Sequence, residues 1–588
     1  MQLNLEKKRK IHSQHMIKLN KLFTALVLST TSILGTASAG TVMYVSPQAS
    51  DNGTAYLSFS IDRKVSPNVL YVEAADHESD EMREIYENGD PSLKFLGQIP
   101  QVNHTFAYIK TEYGVINENS LMLGLCENAS AFKVNSKPSE KAILSLQEIT
   151  KLTLERCVKA ADAIALIGQM IDTYGYYGSP ATLVVADKEE GFVIELMPGI
   201  TRAGGYHVAR KIPQGHFFVA ADQFRIQAVD KNDSDFIFNE NLLSRMKQEE
   251  IAQLTSGNLN WQRSVKGTEI RPYYSLRRVW RALSNVAPSK NYSPWVSGWA
   301  TTAYPFSVMP DNKVSLLDLI SLTRDTYTGT QFDNATKGTG GLFATPYTHE
   351  NYGERSISNE NTTYTFISQA NKLTPSAITW LSLGPSGQGT YVPLCVDKIP
   401  SVYADASRTE YDERKMWWLS KRISYLTVGY YSSLSDMLKT RVLEQEQHSL
   451  TLINHSKGLP KERFNKVIAN NSRTAFNRMQ KLYENLLEKH DGGYMLRYAE
   501  GHNPKFIPVD SYKKHEVVRV DKEKEKAEAE TQAKTEPAAS AKKGGIPFYN
   551  AIGLEKMPDK IDMNVFSKII STTSEYLKKQ NEKDQKNK

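Results

Sequence analysis

The chain has 588 residues, 40% of them hydrophobic and 23% charged, an ordinary balance for a protein built on a large core. Its formal charge is +7, but residues 1–39 hold six Lys or Arg against the single acid Glu6, which leaves +2 for the rest. So neutral a body offers no electrostatic footing for nucleic acid, and three cysteines (Cys126, Cys157, Cys395) are too few for a disulfide scaffold.

Residues 1–39 read as a secretory signal. The basic stretch Lys7 to Lys10 precedes an apolar run from Leu22 to Leu34, and the small residues Ala37-Ser38-Ala39 follow. The pattern is already complete from Met16 onward. The apolar run is too short to span a bilayer comfortably, and no later stretch is long enough. A soluble, exported protein of the periplasm or the extracellular space is expected.

From Thr41 to Asp62 two alternating apolar runs flank Ser50-Asp51-Asn52-Gly53, a hairpin pattern. Short strands are expected near Val69 to Val72, Phe106 to Ile109 and Leu121 to Leu125. Ser145 with Glu148 reads as a capping box opening a helical region, in which Ile164, Ile167 and Ile171 share a face. Two hairpins are expected next. Thr182 to Ala186 turns into Phe192 to Leu196, and Tyr206 to Ile212 turns at Pro213-Gln214-Gly215 into His216 to Ala221. Antiparallel strands beside amphipathic helices predict an α+β fold.

The second half is richer in helix, over Tyr274 to Leu283, Leu316 to Tyr327, Lys415 to Gln447 and Lys461 to Glu488. The loop Gly329 to Pro346 carries Gly338, Gly340 and Gly341, which allow close backbone approach; it borders a cleft or is a plain surface loop. Residues 516–545 are dominated by Lys, Glu, Ala and Thr and read as a solvated linker. Residues 546–588 form a tail. The main domain is placed at 40–515.

One stretch carries more than fold. GTVMYVSPQASDNGTAYLSFSID, from Gly40 to Asp62, resembles the mature start of the C69/U34 dipeptidases, which are N-terminal-nucleophile hydrolases. Further segments resemble that family in its own order: EAADH (73–77), LGQIPQVNHTFAY (96–108), INENSLMLG (116–124), VADKEEGFVIEL (185–196) and HVARKIPQGHFFVAADQFRI (207–226). SLRRVWRAL (275–283), YPFSVMPDNKVSLLDLISLTRDTYTGTQFD (304–333) and TYTFISQ (363–369) continue it. The resemblance runs from about Gly40 to Arg497. It implies a four-layer αββα core, a dipeptide or small-peptide substrate, and no metal or organic cofactor.

In such an enzyme processing uncovers the nucleophile, whose own α-amine, with a pKa of roughly 7.7–8.0, is the base. The family's functional positions fall on the N-terminal residue, Asp62, Asn117 and Asp222, with Glu118 and Arg225 as candidates for holding substrate. Each has a plainer reading: Asp62 as a cap or ion pair, Asn117 and Glu118 as turn residues, Arg225 as a structural ion pair. No His spacing requires a metal.

Two departures touch the chemistry. Gly40 stands where the family has its catalytic Cys, and Asp222 stands where it usually has Asn. Cleavage after Ala39 leaves glycine first; cleavage after Gly40 exposes Thr41, a legitimate nucleophile. Strand alternation points the Thr41 side chain to the face opposite that of residue 40. An ionised Asp222 cannot donate to an oxyanion. The readings are an exported dipeptidase, a catalytically silent relative that binds peptides or a partner, and, third, an acylase for another amide.

Overall fold

The computed structural model describes residues 40–490 except residues 64, 131, 201–203, 267–272, 297–303, 336–339, 342 and 348–354, together with the backbone of Tyr494–Arg497 and Lys505–Pro508. The expected signal at 1–39, the expected linker at 516–545 and tail at 546–588, and Gly338 lie outside the described residues.

The fold mixes helix and sheet. The first hairpin is as expected: β1 (Val42–Val45) and β2 (Ala55–Ile61) are antiparallel, with Val42 opposite Phe59. Next come β3 (Leu70–Val72), β4 (Tyr108–Lys110), β5 (Gly114–Asn117) and β6 (Met122–Glu127). Helices α1 (Leu146–Arg156) and α2 (Ala160–Tyr174) follow. Ser145 caps α1 by accepting from the Glu148 N–H, but the Glu148 carboxylate pairs with Arg83 at 3.0 Å instead of returning to the cap. The expected continuous helical region breaks at Cys157, whose backbone is extended.

Strands β7 (Ala181–Ala186), β8 (Gly191–Pro198), β9 (Gly205–Lys211), β10 (Phe217–Ala220), β11 (Phe236–Phe238) and β12 (Ser307–Val308) come next in the chain. Helices α3 (Tyr273–Val286) and α4 (Leu316–Thr323) surround β12, and β13 (Tyr364–Ala370), β14 (Ile378–Leu383) and β15 (Val392–Cys395) follow. The C-terminal helices are α5 (Met416–Gly429), α6 (Tyr431–Ser456) and α7 (Lys461–His490). The single helix expected over Lys415 to Gln447 is two, because Tyr430 leaves helical geometry after Gly429. The helix expected to reach Tyr327 ends at Thr323, and Tyr327 is left-handed at φ 64°.

Two large antiparallel sheets form. One has the order β12-β10-β1-β2-β13-β14-β15, the other β11-β9-β8-β7-β6-β5-β4-β3. The β7–β8 hairpin is as expected, but the one expected over Tyr206 to Ala221 is not a hairpin. β9 pairs with β8 and β11, whereas β10 pairs with β1 and β12, so the turn at 213–215 carries the chain from one sheet to the other. The reason is burial on both faces of β10. Phe218 and Ala220 join the core between the sheets, while Phe217 and Val219 join the core under α3 and α4.

The same division runs along β1. Val42 and Tyr44 face the second sheet; Met43 and Val45 face Leu276, Val279 and Leu283 of α3 and Leu319 of α4. The sheets approach closely at Gly124 in β6, where a Cβ would lie 3.1 Å from Leu57 and 3.3 Å from Val42. On the far face of the second sheet, His207 of β9 packs against Gly168 of α2. All three cysteines are free and buried.

Candidate active site

The head of β1 lies in the middle of the first sheet, and it is held by side chains from distant parts of the sequence. The Gly40 N–H donates to Asp222 Oδ1 at 2.6 Å. Arg278, from α3, donates Nη2 to Asp222 Oδ2 at 2.5 Å and Nη1 to the Gly40 carbonyl at 2.8 Å and to Thr41 Oγ1 at 3.1 Å. The Thr41 N–H donates to Ser60 Oγ at 3.1 Å. Every one of these groups is buried.

Asp222 lies two residues past the end of β10, the strand beside β1, and sits at φ 54°, a left-handed conformation unusual for a residue with a Cβ. Such strain persists only where surrounding contacts fix it; here the Arg278 pair and the Gly40 N–H do so. Burial pushes the Asp222 carboxyl up from the ordinary carboxylate range, and Arg278, with Arg355 behind it, pulls against that rise. The carboxylate is spent on the main chain and a guanidinium.

The floor of the site is a polar row across the second sheet. Cys126, Thr182 and Glu195 stand opposite one another on β6, β7 and β8. A Cβ built on Gly40 would lie 3.8 Å from Cys126 Cβ, so residue 40 faces this row while Thr41, in phase with Met43, faces the α3 side. Asn128 donates to Thr182 Oγ1 at 2.8 Å. Glu195 Oε1 accepts the Arg225 N–H and, at 3.2 Å, the Ile226 N–H, which props the segment after Asp222. Burial raises the Glu195 carboxyl to about 8 and pushes the Cys126 thiol far up. A buried, protonated thiol is a poor nucleophile.

Asp62 lies beside this centre but is turned from residue 40. It accepts from Thr362 Oγ1 at 2.6 Å and Asn359 Nδ2 at 3.0 Å, and pairs with Arg355 at 3.0 Å. Arg355 and Arg278 both lie near the Tyr274 ring, at 5.1 and 5.5 Å from its centroid, which links the two carboxylates. Sequence reasoning therefore brought Gly40, Thr41, Asp62 and Asp222 together, and missed Arg278, Arg355, Ser60 and the row on the second sheet.

Asn117 and Glu118 are not part of this centre. Asn117 donates to the carbonyls of Leu154 and Cys157 and accepts from the N–H groups of Asn119 and Leu121, so its amide is filled by the turn. It sits opposite Leu121, just before β6 and five residues from Cys126, roughly 16 Å away at about 3.3 Å per residue. Glu118 accepts the Ala107 N–H at 2.9 Å at that same end. Arg225 is close in sequence to Asp222 and fully buried, and no ion pair to its guanidinium forms among the described residues. The loop Gly329 to Pro346 packs Phe343 on Tyr430 at the α5–α6 junction. Among the described residues no cluster of three or more His, Cys, Asp or Glu is placed to hold a metal, and no helix is long and apolar enough to cross a membrane.

Comparison with known proteins gives this geometry a context. The sequence model of Peptidase family C69 matches residues 39–444. A probable dipeptidase of Latilactobacillus sakei is 25% identical over 431 residues, covering 67% of this chain and 82% of the relative. Dipeptidase A of Lactobacillus helveticus is 23% identical over 376 residues, 61% of this chain and 75% of that protein. A probable dipeptidase of Salmonella dublin is 22% identical over 374 residues, 61% and 81% of the two chains.

Proposed function

Because the chain belongs to Peptidase family C69, we propose that it is an exported protein acting on dipeptides by an N-terminal-nucleophile mechanism at the head of β1. The dipeptidase relatives support the substrate class. The observation that carries the site is the grip of Asp222 and Arg278 on the main chain of residues 40 and 41. It holds in place the point that removal of residues 1–39 or 1–40 turns into an N-terminus. The stacking of α2 on one sheet, of the two sheets on each other and of α3 on the other supports the four-layer αββα plan.

Processing after Gly40 supplies a nucleophile. The Thr41 α-amine then lies at Ser60 Oγ and its hydroxyl at Arg278, 3.1 Å away, where a fixed cation favours the developing alkoxide. Thr41 Oγ1 attacks the peptide carbonyl and its proton passes to the α-amine. That proton then goes to the leaving amine as the C–N bond breaks, and water cleaves the resulting ester. Processing after Ala39 leaves Gly40 first, with an amine at Asp222 and no side chain. That feature favours the second reading, a relative that binds peptides without turning them over.

Mass spectrometry of the mature N-terminus, with hydrolysis and binding assays on a dipeptide panel, separates these. Terminal Thr41 with turnover abolished by Thr41→Ala is expected for the hydrolase. Terminal Gly40 with binding and no turnover gives the second reading. Turnover that survives Thr41→Ala places the nucleophile elsewhere, and a protein that neither binds nor cleaves any dipeptide ends both.

A further inference from the structure

We propose that Arg225 is the anchor for the C-terminal carboxylate of the bound dipeptide, an inference that rests on the dipeptide reading above and names the group by which the substrate is measured. The Arg225 side chain is 1% exposed. Its Nη2 donates to the Pro305 carbonyl, but Nε and Nη1 are buried and have no partner among the described residues. Those two nitrogens carry three N–H donors. Buried donors are paired in nearly all native structures, and an orphaned one calls for an absent water, ion or ligand. An unpaired buried guanidinium calls for an anion above all.

No carboxylate among the described residues pairs directly with the Arg225 guanidinium. Glu195 is the acid whose charge acts on Arg225, yet its Oε1 is taken by the main-chain N–H groups of Arg225 and Ile226 and by Thr182 Oγ1 at 3.3 Å. Burial also favours the protonated form of Glu195.

The position suits a short substrate. Arg225 is three residues beyond Asp222, a reach of at most about 10 Å even fully extended. In a dipeptide the terminal carboxylate lies one residue, about 4 Å, from the carbonyl to be cut. A longer peptide carries its carboxylate past Arg225 and leaves the cation buried beneath an amide. The same residue that recognises the carboxylate thereby excludes longer chains. Pro305, whose carbonyl accepts from Nη2, lies against the guanidinium and must give way to admit the ligand.

The test is equilibrium binding to the wild-type protein, or inhibition where turnover occurs. The ligands are unblocked dipeptides beginning with alanyl-alanine, their C-terminal amides, and trialanine. Each acid is expected to bind at least tenfold more tightly than its amide and than the tripeptide. Arg225→Gln should bring the acid-to-amide ratio near one, and Arg225→Lys should keep part of the preference. Equal binding of acid and amide by the wild type overturns the proposal, as does an unchanged ratio in a folded Arg225→Gln. Should that variant fail to fold, the wild-type ratio and Arg225→Lys decide. Tight but carboxylate-blind binding removes the Arg225 role and leaves the dipeptide reading standing; no dipeptide binding of any kind removes both.

Discussion

At residue 40 a side chain would point between the sheets, with its Cβ pressed into the Ser60 carbonyl oxygen and 3.8 Å from Cys126 Cβ. The first contact is a clash with backbone, so a cysteine enters only if the head of β1 shifts. The second is the usual Cβ separation across a disulfide. Gly40→Cys is therefore expected to bridge to Cys126 under oxidising conditions, seen as a loss of two alkylatable thiols that reduction restores. Adding Cys126→Ser should leave the new thiol free. Free thiols in the oxidised single variant would show that residue 40 does not face Cys126. Gly40 and Asp222 were legible because the resemblance fixed their register. Arg278 was not, because SLRRVWRAL is an amphipathic helix in which any of its three arginines passes for surface charge. Only the tertiary fold shows that both Arg277 and Arg278 are buried, Arg278 at the site and Arg277 on Phe332, 3.5 Å from the ring centroid. Asn117 and Glu118 mark the opposite limit, since a motif copied along the chain does not carry the distance its residues keep in space.

Among the elements, the two sheets meet tightly at the start of β8. A Cβ on Gly191 would lie 2.5 Å from the Tyr44 ring of β1, and Tyr44 is fully buried with nowhere to withdraw. Gly191→Ala is expected to destabilise the fold by about 1–3 kcal/mol through overpacking, read as a lower denaturant midpoint. Relief by Tyr44→Leu, which removes the ring carbons 2.5 and 2.7 Å from that Cβ position, would locate the strain at this contact. A Gly191→Ala protein as stable as the wild type would show that the sheets are more loosely apposed here. The strands that alternated were legible one by one, and β1–β2 and β7–β8 also as pairs, because a tight polar turn leaves the chain no other partner. β9 and β10 carry the same local signal and pair with neither each other nor the same sheet. Alternation reports which residues share a face, and it is silent when both faces are buried, as for Phe217 and Phe218. The α5–α6 break was hidden for a related reason, since Gly429 within a long helical pattern costs little enough to be passed over.

For the molecule as a whole, the polar row under the site makes stability depend on pH. Glu195 is fully buried, and its carboxyl sits at about 8 in the fold against an ordinary value of 4.5. Between those values the native chain keeps a proton that the unfolded chain has lost, so the native state binds more protons. The free energy of unfolding therefore falls as pH rises through this window, and the group's share is constant below about 4.5 and above about 8. The full effect is on the order of 3–5 kcal/mol. A glutamine in place of Glu195 would keep an acceptor for the Arg225 and Ile226 N–H groups without the proton linkage. Glu195→Gln should thus match the wild type in denaturant unfolding near pH 5 and exceed it increasingly up to pH 9. Parallel pH profiles for the two proteins would mean that Glu195 is already ionised in the fold, held so by Arg225. The guanidinium would then be compensated from within, and the carboxylate preference assigned to it should shrink in the same protein. One residue pair thus joins the pH profile of the fold to the selectivity of the site, and the two measurements must agree.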